Sequence, residues 1–173
     1  MKRTYAVILV FSLLCCLLAG CNQNGVNDVK LSEVHEKVKA AYGEDYLPNM
    51  QAEKADVATK TGVPEADIEE CIAEFPLMSA QVDTFIAIKA AQGKGESVEK
   101  ALNAYRDTLV SDTLTYPMNQ EKVKASRVVR HGDYVFFLLL GATEEVEDGQ
   151  DPTADFAGKQ VQKGVDAVEE FFK

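Results

Sequence analysis

The sequence is poor in the groups that would announce a chemistry. It has two histidines, His35 and His131, and four cysteines. Cys15, Cys16 and Cys21 fall within the first 21 residues, so only Cys71 remains beyond them and the body of the chain can close no disulfide on itself. The flanks of Cys71, IEECIAEF, alternate like a strand, and its thiol is expected to be a packed apolar group. Neither histidine stands among cysteines at the spacing a structural zinc needs. There is no G-x-S-x-G elbow, no H-E-x-x-H, and no glycine loop ending in Gly-Lys-Ser/Thr. The segment AAQGKGES has glycines at the wrong spacing for a phosphate loop and reads as a linker before a helix. The acid-rich TEEVEDGQD lacks the glycine and closing glutamate of an EF-hand loop, and reads as a solvated charge run. No cofactor is expected.

Positive charge is also scarce, with 18 basic residues against 28 acidic ones and a formal net charge of -10. Such a chain is repelled by nucleic acid and by anionic headgroups, so no nucleic-acid partner is expected.

What the chain does have is a leader and a patterned body. The opening MKRTYAVILVFSLLCCLLAGC places Lys2 and Arg3 before an uncharged stretch from Thr4 to Gly20. Its apolar part is shorter than the roughly 20 residues that an ordinary helix needs to cross a bilayer, so it reads as a processed signal. The last four residues, Leu18, Ala19, Gly20 and Cys21, resemble the lipobox of bacterial lipoproteins. That resemblance implies lipid on the Cys21 sulfur and cleavage before it. Two acyl chains would give firm attachment, because each buried methylene contributes roughly 0.8 kcal/mol. The expected location is the outer face of the cell membrane, with lipid on Cys21 as the membrane contact. Asn22 departs from the aspartate that retains some lipoproteins in an inner membrane.

Three segments are therefore expected: a signal peptide over 1–20, a lipidated tether over 21–30, and one compact domain over 31–173. Without Lys2 and Arg3, the remaining 16 basic and 28 acidic residues give the processed chain a charge of -12. Leu31, Val34, Val38, Ala41 and Tyr42 recur at helical spacing, with Ser32 as a candidate cap and Gly43 as a stop. An apolar turn through Tyr46, Leu47, Pro48 and Met50 is expected next, then a short helix over Ala52 to Lys60. Ile68 to Phe75 and Val82 to Ala90 suggest an antiparallel strand pair, although a helix competes over Thr84 to Ala91.

Glu96 to Leu109 carries the clearest helical stripe, and Asn119 to Ala125 suggests another helical turn or two. SRVVRHGDYVFFLLLG reads as a hairpin, with His131 in the turn and Gly132 supplying positive φ. The unbroken apolar run Val135 to Leu140 predicts a central strand covered on both faces. A last helix is expected from about Thr153 to Phe172, burying Phe156, Val161, Val165, Val168 and Phe172. The fold class is α+β, a mostly antiparallel sheet of about four strands packed with helices.

The segments FPLMSAQVDTFIAIKA (Phe75 to Ala90) and TYPMNQEKVKASRVVRHGDYVFFLLL (Thr115 to Leu140), with the helix holding Ala101 to Arg106, carry a resemblance. Over about Leu31 to Leu140 the chain resembles a domain-of-unknown-function family of small bacterial lipoproteins and secreted domains, mainly from low-GC Gram-positive bacteria. That family implies no particular activity.

Four residues are candidate contacts to a ligand or partner. Ser79 and Asp83 stand four apart and offer hydrogen bonds, unless they only satisfy turn N–H groups. Arg106 lies at the edge of its helix stripe, where it is either a surface ion pair or a fork for a carboxylate or phosphate. Tyr116, beside Pro117, offers an amphipathic contact or merely packs. His35 falls beside the apolar stripe of the first helix and is expected as a satisfied histidine at the boundary of the core. No catalytic or metal-binding set emerges. The leading expectation is a lipid-anchored interaction module with an envelope protein as partner. A cell-wall or peptide hydrolase and a solute-binding lipoprotein are the alternatives, and an exposed apolar patch or open sheet edge would favour protein binding.

Overall fold

The computed structural model describes residues 28–78, 80–147, 150 and 152–173. The leader, Cys21 and most of the expected tether lie outside the described residues. The tether's last part is docked rather than free: Val29 is buried and donates its N–H to the Tyr134 hydroxyl, while Asp28 accepts from Lys89 and Tyr134.

Helix α1 (Leu31–Tyr42) buries Leu31, Val34, His35, Val38 and Tyr42 along one face and ends at Gly43, whose φ is 57°. Ser32 lies inside this helix and is exposed, while Lys30 occupies the cap position with no side-chain cap bond. A 3-10 turn (Gly43–Asp45) leads to β1 (Met50–Gln51). Then come α2 (Lys54–Thr61), β2 (Ile68–Phe75) and β3 (Thr84–Ala90). Helix α3 (Gly95–Ser111) and helix α4 (Pro117–Ala125) precede the hairpin of β4 (Arg127–His131) and β5 (Tyr134–Leu139). Helix α5 (Ala154–Glu169) closes the order, capped by Thr153, whose hydroxyl accepts from the Phe156 N–H.

The protein is α+β, with five strands in one antiparallel sheet ordered β1-β2-β3-β5-β4. The expected count of about four strands misses β1, a two-residue edge strand too short to show any alternation. Met50 accordingly points outward at 45 % exposure instead of folding into an apolar turn. The competition over Thr84 to Ala91 is resolved as strand, because alternate residues find apolar partners on both sides of the sheet.

That two-sided burial organises the core. One face of β3 and β5 gives Ile86, Ile88, Val135, Phe137 and Leu139 to a cluster with Val57, Val98 and Leu102. The other gives Phe85, Ala87, Phe136 and Leu138 to a cluster with Val34, Val38, Val161 and Val168. Helices α2 and α3 thus cover one face and α1 and α5 the other, which explains why the β5 sequence is apolar at every position.

Two further details differ from the sequence expectation. His131 is the last residue of β4 and pairs with Tyr134; the turn itself is Gly132–Asp133, with Gly132 at φ 61°. In α5, Phe156 is only half-buried, and Gln160 and Gly164 take the buried positions because the Tyr42 side chain lies against them. The Tyr42 hydroxyl donates to the Gln160 carbonyl at 2.9 Å and accepts the Gly164 N–H at 3.0 Å. It therefore sits between the two groups that would otherwise close an i to i-4 helix bond, locking α1 to α5.

Candidate functional site

The sheet has two distinct ends. At one, the chain enters through Asp28 beside Lys89 and Tyr134. At the other, β2 ends at Phe75, β3 begins at Thr84, and β5 ends at Leu139. The β2–β3 connection and the loop joining α3 to α4 stand apart over this second end and leave an open cleft with a volume of about 390 Å³.

Its floor is core made accessible: Phe75, Tyr105, Val123 and Leu139 all belong to one buried cluster and also line the cleft. Burial pushes the Tyr105 phenol up to about 12, so it stays neutral at ordinary pH. Its rim is formed by Met50, Leu77, Met78, Leu114 and Tyr116, exposed at 45, 70, 58, 87 and 55 %. These loops have defined local supports. Asn49 accepts the Leu77 N–H through its Oδ1, Asn119 donates to the Ala80 carbonyl, and Asp112 accepts the Leu114 N–H. Pro117 at the start of α4 fixes the backbone where Tyr116 leaves the loop.

Next in sequence to the cleft-lining Val82, Thr84 and Val123 stand the partners of a buried ion pair. Lys122 Nζ is 2.9 Å from each oxygen of Asp83, and the side chains are 5 and 2 % exposed. Burial pushes the Asp83 carboxyl upward, against the opposing pull of the Lys122 ammonium. Arg106 is similarly occupied within the fold: Nε donates to the Ser126 carbonyl at 2.8 Å and Nη2 to the Lys124 carbonyl at 2.7 Å. It caps the end of α4, meeting orphan carbonyls that a helix cannot satisfy itself.

The four candidate contacts therefore separate. Tyr116 stands on the cleft rim, Asp83 ties the entry of β3 to α4, Arg106 ties α3 to the end of α4, and Ser79 lies outside the described residues. Two of the three guanidinium nitrogens of Arg106 are thus engaged with backbone carbonyls, and Nη1 lies 3.7 Å from the Asp107 carboxylate. Cys71 is a half-buried free thiol packed against the α2–α3 core, and burial pushes the thiol's pKa upward.

A second polar cluster was not legible in the sequence. His35 is 7 % exposed, stacks on Phe85, and places Nε2 3.2 Å from both Tyr46 Oη and Glu74 Oε2. Tyr46 donates to Glu74 at 2.8 Å, and burial together with that carboxylate pushes its phenol far above the usual range. The three side chains come from α1, the following turn and β2, and they satisfy one another on the sheet face opposite the cleft. His35 is thus in the core, not at its boundary. Its only sequence signal was its place in the apolar stripe, between Val34 and Val38.

Among the described residues, no group of three or more His, Cys, Asp or Glu side chains is placed to hold a metal ion. No helix among them is long and apolar enough to cross a membrane. Among the described residues that line the cleft, Asp112 is the one acidic side chain and Lys60 the one basic side chain.

Taken together, the layers and the cleft define a small α+β domain that exposes part of its core between two loops at one end of an antiparallel sheet. The chain belongs to the family described as Domain of unknown function (DUF4358), whose model matches residues 30–140. That span begins just before α1 and ends just after β5, so it includes the whole sheet and the cleft, whereas α5 lies beyond it. No curated protein and no solved structure matches the chain.

Proposed function

We propose that this protein is a lipid-anchored extracytoplasmic interaction module that receives an apolar segment of an envelope protein in the cleft. The observation that carries the reading is the composition of the rim. Met50, Met78 and Met118, the three methionines beyond Met1, are all among the exposed large apolar side chains. Met50 and Met78 line the cleft, and Met118 lines the adjacent depression beside Tyr116.

Exposing such side chains to water forgoes the burial that would stabilise the fold, so a cluster of them is evidence for a contact surface. Methionine suits that role because its unbranched, polarizable side chain adapts to different partners. The leader supports the location: two basic residues, an uncharged stretch and LAGC ending at Cys21 match a lipoprotein signal.

The location is tested by growing cells with an alkyne-bearing palmitate and comparing the wild type with Cys21→Ala. The wild type is expected to carry the label and fractionate with membranes; the variant is expected to lose both. An equally labelled variant would sink the assignment of Cys21. The cleft is tested separately, by in-cell cross-linking from a photoreactive residue at position 114, with one at position 33 as control. Recovery of the same envelope protein from position 114 alone is the expected result, and identical recovery from both positions would overturn it.

A further inference from the structure

Every exposed large apolar side chain among the described residues, from Met50 to Val146, lies at or beside the cleft end of the sheet. The chain enters at the other end, where Asp28 meets Lys89 and Tyr134. The domain is therefore polar along its strands. Thr84 and Lys89, five residues apart on β3, alone separate the two ends by roughly 17 Å at about 3.4 Å per residue.

This arrangement bears on what can cover the cleft. If Cys21 is at the bilayer, the seven residues from Cys21 to Asn27 span at most roughly 25 Å. For the apolar end to press on lipid, that tether would have to double back along the side of the domain over most of its reach, an ordering opposed by chain entropy.

Charge argues the same way. Asp112 lines the cleft, and Glu144 and Glu145 line the neighbouring depression. Of the basic groups there, Lys60 lies over the Phe75 ring and Lys124 pairs with Glu121. Among the described residues three acids stand against two lysines along this border, and on a chain of net charge -10 that excess repels anionic headgroups and attracts a cationic segment.

We infer that the cleft faces away from the membrane and takes an amphipathic protein segment whose apolar anchors are flanked by lysine or arginine. Leucine- or methionine-sized anchors enter between Met78 and Leu114, while the basic flanks meet Asp112 and Glu145. This inference rests on the interaction-module reading and specifies its partner by chemistry.

The test uses the full lipidated chain in nanodiscs of zwitterionic lipid, with methionine methyl groups labelled with carbon-13. Three synthetic probes are titrated: a leucine/lysine amphipathic peptide, a leucine/glutamate peptide with the same apolar face, and a glycine/lysine peptide of equal positive charge. Saturable shifts of the Met50, Met78 and Met118 methyls are expected with the first peptide, at least tenfold weaker affinity with the other two, and a tenfold loss in Asp112→Lys/Glu145→Lys. Leu114→Glu should abolish the shifts.

Equal affinity for the leucine/lysine and leucine/glutamate peptides would overturn the charge selection while leaving the cleft as a binding site. Shifts by the glycine/lysine peptide as strong as those by the leucine/lysine peptide would show surface electrostatics alone. If phosphatidylglycerol vesicles move the three methyls and no peptide does, the cleft is a membrane contact and the inference fails. Concentration-dependent shifts without any probe would instead assign the surface to a second copy of the chain. No shift under any condition would count against the underlying interaction-module reading.

Discussion

At the end of the sheet where the chain enters, polar groups are tied to one another: Asp133 accepts the N–H groups of Gly93 and Gly95, Lys89 bridges Asp28 and Glu69, and His131 stacks on Phe172 while approaching Glu169. At the cleft end the equivalent surface is occupied by exposed methionine, leucine and tyrosine, and the tight polar contacts are those of Asp83, Lys122 and Arg106 in the adjoining elements. The same sheet thus ends once in a closed surface and once in an open one. The difference shows where this fold keeps its stability and where it leaves apolar area uncovered. A substitution should act on stability at the first end and at the Asp83–Lys122 pair, but on binding at the second end's rim.

The largest expected effect comes from breaking the buried ion pair. Lys122→Met leaves the Asp83 carboxylate buried without its partner, a change that typically costs about 3–5 kcal/mol. Denaturant unfolding measures it, and Asp83→Asn combined with Lys122→Met should recover much of the loss. A near-neutral single variant would show that water reaches the pair and that it is less enclosed than its 2 and 5 % exposures imply.

A smaller loss is expected at the entry end. A Cβ added at Gly95, the first residue of α3, would collide with the carbonyl oxygen of Gly132 in the hairpin turn. Gly95→Ala should therefore cost about 1–3 kcal/mol through displaced backbone, with binding of the amphipathic peptide unchanged once the protein is folded. Calorimetry and the peptide titration together check both halves; weakened binding in the folded variant would mean that the two ends are coupled.

The smallest stability effect belongs to the rim. Leu114 is 87 % exposed, so Leu114→Glu should shift unfolding by less than about 0.5 kcal/mol even though it removes the binding response. A large destabilisation would show that Leu114 supports the loop, and the contrast between the two ends would then disappear.

Much of the architecture followed from residue patterns. The stripe through Val98, Leu102 and Tyr105 placed α3, and the HGDY turn placed the β4–β5 hairpin, because both depend on interactions between residues close in sequence. The uninterrupted apolar run in β5 implied cover on both faces for the same local reason. Met50–Gln51 escaped because a two-residue edge strand is defined by its partner, Glu74–Phe75, and by nothing in its own spacing.

The candidate site was legible only in fragments. Tyr116 stood out as an amphipathic residue beside a proline, but its sequence neighbours gave no means of seeing that Met50, Met78 and Leu114 would join it on one rim. Asp83 and Arg106 were recognisable as polar residues among apolar ones. Whether such groups face outward or inward depends on a partner 39 residues away in the case of Lys122, and 18 and 20 residues away for the carbonyls that receive Arg106.

By itself the sequence determined the charge of the chain, the single cysteine of its body, the leader pattern ending at Cys21, and the periods that make each long helix and strand. These are properties of composition and of neighbours within one or two turns of chain. Only the tertiary structure decided that His35, Tyr46 and Glu74 satisfy one another in the core, that Tyr42 locks α1 to α5, and that the exposed apolar side chains gather at one end of the sheet. Those outcomes depend on which distant segments share a surface, and that is set by how the sheet buries both of its faces.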